Sequence, residues 1–194
     1  IYMKQHKWKI VAGISVIIFL VVVVVAFLGN DKNNNLDLSA FKTDSIYCYE
    51  GIPWNTSLEE TKKLLPEKLI NSSELAANIT VYEMENIYVK GHKAFTTLTF
   101  DPNFSDITFH LSLEDDEDNL SEVETYLIRN FEKNYGQADE RKESTTYDGE
   151  KFRSYTWKCT DQENQDIVLH IFVKYNTKKV YDIIITTGLV KYIE

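Results

Sequence analysis

The sequence has few of the residues and spacings that build catalytic, nucleotide-binding or metal sites. Glycine occurs only seven times in 194 residues, which leaves little material for a loop that cradles phosphate groups. No G-x-S-x-G, C-x-x-C or H-x-x-x-H spacing occurs, so the signatures of serine hydrolases and of common zinc sites are absent. We therefore predict no catalytic residue, no metal ligand and no cofactor, and hence a protein that is not an enzyme.

Two metal-binding alternatives to that prediction remain open. His110 and His170 both fall in strand-like segments, and two histidines on one sheet face bind a metal where a carboxylate lies nearby. The acidic run "EDDED" (114–118) is the second alternative, as a loose surface calcium site. It lacks the ligand spacing and the glycine of an EF-hand, and acids before a helix also stabilise the helix dipole.

Cysteine is equally scarce, with only Cys48 and Cys159 in the chain. Outside the cell the two thiols are able to pair. A bridge between them would close a loop of about 110 residues and contribute up to ~4–5 kcal/mol on the chain-entropy model. Both cysteines also lie in strand-like segments, and buried free thiols are common there. The sequence therefore leaves two readings open, a Cys48–Cys159 disulfide or two buried thiols.

Charged residues are absent from 10–28, which reads "IVAGISVIIFLVVVVVAFL". As a helix this segment would be about 28 Å long, enough to cross the apolar core of a bilayer. We predict an uncleaved transmembrane signal-anchor, because the segment is longer than most signal-peptide cores and lacks a clear cleavage site. A cleaved signal peptide is the alternative. Lysines precede the segment, so the positive-inside rule predicts a single-pass protein of the cell membrane, with the tail 1–9 cytoplasmic and the C-terminal domain outside.

The rest of the chain is acidic. Three of the 21 basic and none of the 30 acidic side chains precede residue 29, which leaves a formal net charge of −12 for the remainder. This balance argues against nucleic acid as a partner. The polar, asparagine-rich stretch 29–40 predicts a flexible spacer, and the domain itself is expected at 41–194, long enough to bury a core.

Two capping boxes predict the starts of two helices. Ser57 with Glu60, and Ser121 with Glu124, have the spacing at which a serine hydroxyl accepts an amide and the glutamate reaches back. The first helix is expected to end before Pro66, and a short helical piece is expected at "SSELAAN" (72–78). The predicted packed face of the first helix consists of Leu58, Thr61, Leu64 and Leu65.

Between and after these helices the hydrophobic period is two, which predicts strands. The clearest case is "ITFHLSL" (107–113), in which Ile107 and Phe109 should point one way and His110 the other. The stretch "QADERKESTTYDGE" (137–150) is predicted to be a loop. The resulting order is helix, three strands, helix, three strands. We therefore predict an α+β fold, with a transmembrane helix followed by a two-layer domain whose antiparallel sheet carries helices on one face.

The segments "GIPWNTSLEETKKLL", "KAFTTLTFDPNFSDITFHL", "FEKNYGQ" and "YTWKC…IVLHIFVKY" together resemble bacterial anchored or secreted α+β domains of the β-lactamase-inhibitor-protein-like or SmpA/OmlA-like type. Those domains open with a short motif of glycine, isoleucine or valine, then tryptophan or another residue, serine or threonine, and two glutamates, which leads into a helix and an antiparallel meander. The residues that match this opening are Gly51, Ile52, Trp54, Ser57, Glu59 and Glu60. The resemblance implies a non-catalytic protein-binding or envelope-assembly domain.

Together these features predict a membrane-anchored, extracytoplasmic binding or accessory module of a bacterial cell envelope. An envelope hydrolase without a recognisable motif and a sensor subunit that acts through a membrane partner are the alternatives. Its partners are expected to be the membrane, through residues 10–28, and an envelope protein, with no nucleic acid. The aromatic residues near the opening motif are either exposed or packed beneath the first helix. The residues of the candidate binding face are Tyr47, Tyr49, Trp54, His110, His170 and Phe172.

Overall fold

The strands of the C-terminal half alternate between apolar and polar side chains, and this pattern builds the centre of the sheet. Ile167, Leu169, Ile171 and Val173 are each at most 1% exposed, because successive side chains of a strand point to opposite faces.

The structure, a computed structural model, describes residues 35–44, 46–65, 68–76, 78–84, 87–114, 117–147, 149–161, 163–175 and 180–190.

The described elements are two helices and eleven strands. The helices are α1 (Leu58–Leu64) and α2 (Glu117–Tyr135). The strands are β1 (Lys42–Thr43), β2 (Ile46–Tyr47), β3 (Leu69–Ala76), β4 (Ile79–Met84), β5 (Ile87–Val89), β6 (His92–Phe100), β7 (Phe104–Glu114), β8 (Glu140–Thr145), β9 (Lys151–Thr160), β10 (Asp166–Tyr175) and β11 (Val180–Leu189).

One antiparallel sheet of nine strands dominates the fold. Its strand order is β3-β4-β6-β7-β11-β10-β9-β8, and β5 pairs with the remaining part of β6. The last strand, β11, lies in the middle, between β7 and β10. Strands β1 and β2 form a separate small hairpin. The sheet therefore has β3 at one edge and β8 at the other.

Helix α2 and the segment before α1 cover one face of the sheet. The helix buries an apolar stripe at i, i+3 and i+4 spacing, as expected for a helix packed on one side. This stripe consists of Leu120, Val123, Leu127 and Phe131. Phe131 contacts Trp157 of β9, with ring centroids 5.2 Å apart. Phe41 packs against both Phe131 and Phe109 of β7. The core therefore lies between α2 and this face of the sheet.

Helix α1 begins as its sequence predicts. Ser57 is the N-cap, and its hydroxyl accepts a hydrogen bond from the Glu60 amide at 3.3 Å. Thr61 and Leu65 are buried, but Leu64 is 55% exposed. The predicted packed face is therefore wrong at Leu64, because successive residues of a helix point about 100° apart and the neighbouring Leu65 faces the core.

The second predicted capping box is wrong. Helix α2 begins at Glu117, so Ser121 and Glu124 lie inside the helix rather than at its start. Glu124 is only 5% exposed and contacts strand residues instead of the helix backbone. Spacing alone did not distinguish a cap from an interior position, and the acidic residues Glu117 and Asp118 already form the first turn of the helix.

The predicted α+β fold is also wrong. The structure is mostly antiparallel sheet, with five strands between α1 and α2 and four after α2. Most of "SSELAAN" belongs to β3 rather than to a helix, and "ERKEST", within the predicted loop, is β8. Both are edge strands that pair on one side only. Their side chains are mainly exposed, so no hydrophobic alternation marks them as strands.

The N-terminal predictions lie largely outside the described residues. The predictions concerned are those for the tail 1–9, the segment 10–28 and the spacer up to residue 34. Within the ranges that the structure covers, no helix is both long and apolar enough to span a bilayer. The compact unit begins at Asn35, earlier than the predicted boundary at 41. Leu36 and Leu38 are buried, and the Leu36 amide donates to the Tyr88 carbonyl at 2.7 Å.

Candidate binding face

The face of the sheet that points away from α2 is where the candidate residues meet. Phe109 is fully buried against the core, so its neighbour His110 points to the other side. We call this other side, which carries His110, His170 and Phe172, the outer face. His170 lies opposite Thr156 of β9 and Thr186 of β11.

An open cavity of about 740 Å³ lies on the outer face over β8, β9 and β10, and Val190 also contributes to its lining. Its size is within the range of ligand pockets in proteins. Charged, hydroxyl and aromatic side chains contribute to its lining, among them Glu140, Lys142, Ser154, Thr156, His170 and Phe172. Such a surface is able to hydrogen-bond a polar group and to stack against an apolar one.

The apolar part of this lining consists of Phe172 and the aliphatic residues Ile167, Val168 and Val190. Phe172 packs against Phe152 of β9, with ring centroids 5.2 Å apart, and its centroid lies 6.3 Å from that of His170. The register places Phe172 between Ser154 and Ile184 on the neighbouring strands. Aromatic side chains in this half-buried setting are common anchors at protein interfaces.

Burial and a nearby positive charge favour the neutral form of the His170 imidazole. Burial lowers the pKa of His170 most, and the nearby Lys142 ammonium lowers it further, while Glu140 opposes both. Lys142 is itself paired with Glu140 at 2.8 Å on the exposed edge strand β8, and its hydrogen bond lowers the pKa of Glu140. The neutral ring can therefore both donate and accept a hydrogen bond.

A second cavity, of about 500 Å³, lies further along the outer face. Ile70 and Phe95 in its lining are 52% and 56% exposed. His110 also lines it and approaches Asp182 of β11, with Nε2 and Oδ1 3.0 Å apart. The outer face thus carries the exposed side chains of Ile70 and Phe95 at one end and the half-buried rings of Phe152 and Phe172 at the other.

The predicted binding-face residues separate into two groups. His110, His170 and Phe172 lie together on the outer face, whereas Tyr49 and Trp54 are buried on the opposite side of the sheet. Tyr49 packs against Phe109, and Trp54 packs against Phe104 with ring centroids 4.8 Å apart. Tyr47 is half-buried beside Tyr135 of α2. The three residues nearest the opening motif therefore support the core side of the fold.

Two outer-face residues were not identified from the sequence. Phe95 and Phe152 each occupy a position at which the alternation of their strand favours a polar side chain. Phe95 lies opposite His110, and Phe152 lies two residues before Ser154 on the same face of β9. An aromatic residue in a polar phase is exposed to solvent unless another element covers it. An aromatic residue at a polar position of the alternation was therefore the signal in the sequence that could have identified these two residues.

Both cysteines are free thiols. Cys48 is buried, and its thiol lies 3.4 Å from the Thr43 hydroxyl. Cys159 is partly buried beside Tyr47, and burial is the largest of the effects that raise the pKa of its thiol to about 11. Among the described residues, no group of three or more histidine, cysteine or acidic side chains is arranged to hold a metal ion. Residues 115–116, within the acidic run, lie outside the described ranges.

Comparison with protein family models, with curated proteins and with solved structures gives no match to this chain. The resemblance to β-lactamase-inhibitor-protein-like and SmpA/OmlA-like domains therefore stays a prediction from the sequence.

Proposed function

We propose that this chain is a non-catalytic binding module that acts outside a bacterial cell membrane, anchored there by the apolar segment 10–28, and binds a protein partner through its outer face. One observation carries the proposal. An open cavity of about 740 Å³ combines aromatic, hydroxyl and charged side chains on the face of the sheet opposite α2. The location rests on the sequence, through the apolar segment and the acidic remainder of the chain.

The chemistry of the outer face fits a protein partner. Interfaces combine an aromatic or apolar centre with a polar rim. Here the Phe152–Phe172 pair is the centre, and Lys142 with Glu140 lies at its edge. The rim offers both signs of charge, so a partner with donors and acceptors is better matched than a uniformly charged polymer.

Site-specific photocross-linking in the cells that produce the protein tests this proposal. A photoreactive amino acid replaces exposed Phe95 on the outer face or Tyr126 on α2, which is 36% exposed. We expect a discrete cross-linked protein from position 95 and none from position 126, and a lower yield from position 95 when Phe172 is changed to Ser. Equal products from both positions, or none from position 95, would contradict the proposal.

An envelope hydrolase is the second candidate, and the His110–Asp182 contact of 3.0 Å favours it. A carboxylate that orients a histidine is part of many acid–base sites. Ser112 is on the same outer face, directly opposite Asp182 in the register of β7 and β11. This candidate predicts that the purified chain hydrolyses an ester, peptide or glycoside substrate and that His110→Gln abolishes turnover. An activity that His110→Gln leaves intact would reject this assignment of the site.

A further inference from the structure

All three arginines of the chain meet at one small cavity. Arginine occurs only at positions 129, 141 and 153, on α2, β8 and β9. The cavity has a volume of about 350 Å³ and lies between α2 and the edge of the sheet, apart from the outer face. Every other basic side chain counted in the sequence is a lysine. The convergence of the only guanidinium groups from three separate elements points to a requirement for arginine itself.

Two of the guanidinium groups are held in place by neighbouring side chains. Arg153 forms an ion pair with Glu124 at 2.9 Å and lies 4.6 Å from the ring centroid of Tyr175. Arg141 forms an ion pair with Glu132 and lies over the ring of Tyr155. Cation–π contacts and ion pairs together fix the direction of a guanidinium plane.

Glu124 extends this arrangement into the core. Its carboxylate accepts hydrogen bonds from Tyr155 at 2.9 Å and from Tyr175 at 2.8 Å, in addition to the Arg153 contact. The carboxylate therefore connects α2 to β9 and β10. As a result the cavity wall is built from side chains whose positions are set before any ligand binds.

The cavity retains positive charge and hydrogen-bond donors. Its lining contains three arginines but only two acids, Glu124 and Glu132, in a region of the chain that is otherwise strongly acidic. Each described ion pair of Arg141 and Arg153 uses one guanidinium nitrogen, whereas a guanidinium carries five N–H donors. Ser121 and Thr125 add hydroxyl groups to the wall.

We propose that this arginine cavity binds the phosphate group of a small anionic ligand. Arginine recognises phosphate through paired N–H donors, which a lysine ammonium does not provide. A phosphate also has more acceptor oxygens and more charge than a carboxylate, which suits three guanidinium groups that approach from three elements. The volume of about 350 Å³ is at the small end of ligand pockets, so the ligand is a small molecule or a single headgroup.

Nuclear magnetic resonance of the arginine side chains gives a direct test. Because the chain has three arginines, its spectrum contains three Nε–Hε signals, all from this cavity. The 194-residue chain is titrated with sodium phosphate, and with sodium chloride at matched ionic strength. We expect saturable shifts of the arginine signals with phosphate, and weaker ones with sodium acetate. Shifts that follow ionic strength alone, or that are larger with acetate, would overturn the proposal.

A matched pair of variants separates a specific site from general charge attraction. Arg129→Gln removes an exposed arginine of the cavity, and Lys133→Gln removes one positive charge one turn further along α2, at a residue outside the cavity lining. We expect Arg129→Gln to weaken phosphate binding about tenfold, the usual effect of losing one charge-assisted hydrogen bond. Lys133→Gln should leave the affinity unchanged. Equal losses in both variants would refute the site.

Phosphatidylglycerol vesicles distinguish the two sources of a phosphate group. Saturable shifts with free phosphate identify a soluble ligand, whereas shifts with these vesicles and none with free phosphate identify a lipid headgroup. Phosphatidylcholine vesicles control for adsorption to a surface. Arg153→Lys is a further check, since it keeps the charge and loses the planar pair of donors; affinity equal to that of the unaltered chain would show that arginine is not required.

Discussion

Glu124 offers the sharpest test of how this fold is held together. Its carboxylate has two tyrosine hydroxyls and one guanidinium as partners, and it is only 5% exposed. Changing Glu124 to Ala removes the acceptor of all three and leaves Arg153 beside the core without this partner. Breaking a buried ion pair costs about 3–5 kcal/mol, and each hydrogen bond to a charged group contributes about 1.5–3 kcal/mol.

The expected loss lies at the lower end of that range. The side chain of Arg153 is 35% exposed, and the two tyrosines are half-buried, so water replaces part of what the carboxylate provides. We expect the free energy of unfolding to fall by about 3 kcal/mol for Glu124→Ala, measured by urea denaturation of the chain. On the same helix, Glu122 is exposed in its ion pair with Lys90. Glu122→Ala should therefore cost less than about 1 kcal/mol.

The pH dependence gives an independent measurement on the same residue. Burial is the largest effect on the pKa of Glu124 and raises it, although the Tyr155 hydrogen bond and Arg153 oppose this. The folded chain therefore binds a proton here at pH values where the unfolded chain has lost it. The contribution of this group to stability is fully present below the ordinary glutamate pKa of about 4.3, and it declines as pH rises through the raised value.

Glu124→Gln does not titrate, so comparison with it isolates this group. The stability advantage of the unaltered chain over Glu124→Gln should shrink as pH rises above about 4.3. Two results would refute the reasoning. One is a loss in Glu124→Ala no larger than that in Glu122→Ala. The other is a difference between the unaltered chain and Glu124→Gln that grows with pH.

Three further predictions concern packing and the thiols. Gly188→Ala should lower the free energy of unfolding by about 1–3 kcal/mol, because a Cβ there would lie 2.3 Å from a backbone oxygen of β7; unchanged urea stability would contradict this contact. Trp54→Ala should lower the free energy of unfolding by about 3–5 kcal/mol, whereas Phe95→Ser should lower it by less than about 0.5 kcal/mol. Comparable losses for the two variants in urea unfolding would place Trp54 outside the core. A thiol reagent near neutral pH should react slowly with the folded protein, since Cys48 is buried and the pKa of Cys159 is about 11. After unfolding, the reagent should label both cysteines. Absence of labelling in unfolded protein without reductant would indicate a disulfide.

Local patterns were sufficient to predict the elements whose signals are local. The Ser57 cap depends on two residues three positions apart, and the structure contains its hydrogen bond. The alternation in β7 depends on neighbouring side chains, and Ile107 and Phe109 are both fully buried as predicted. In such segments the pleat and the hydrophobic phase determine the same orientation.

Edge strands could not be predicted in this way. β3 and β8 each pair with one neighbour and expose most of their side chains. Glu140–Thr145 is rich in charges, which protect a sheet edge from pairing with other chains and also make the segment read as a loop. The strand conformation of these segments depends on pairing with the next strand along the chain, β4 or β9, and their exposed side chains leave no hydrophobic alternation that would reveal it.

The candidate site was predicted where its residues depend on the alternation within one strand, and it was missed where they depend on contacts between elements. Phase within a strand placed His110 and His170 on one face, and the structure brings both to the outer face. The role of Glu124 was missed, because its partners come from β9 and β10 and its spacing from Ser121 imitated a helix cap. Contacts between distant elements leave no signal in a single sequence.

The central position of β11 has a consequence for how the protein is made. In the part of the sheet that the structure describes, β11 (Val180–Leu189) is the one strand that joins strands β3–β7 to strands β8–β10. While the chain is being synthesised, the two groups of strands have no shared strand partner until β11 emerges. Each would expose an unpaired edge, at β7 and at β10, in the meantime. A ribosome that stalls before residue 180 would therefore release a product with two unpaired, aggregation-prone sheet edges. Such a product is a substrate for chaperones and quality-control proteases.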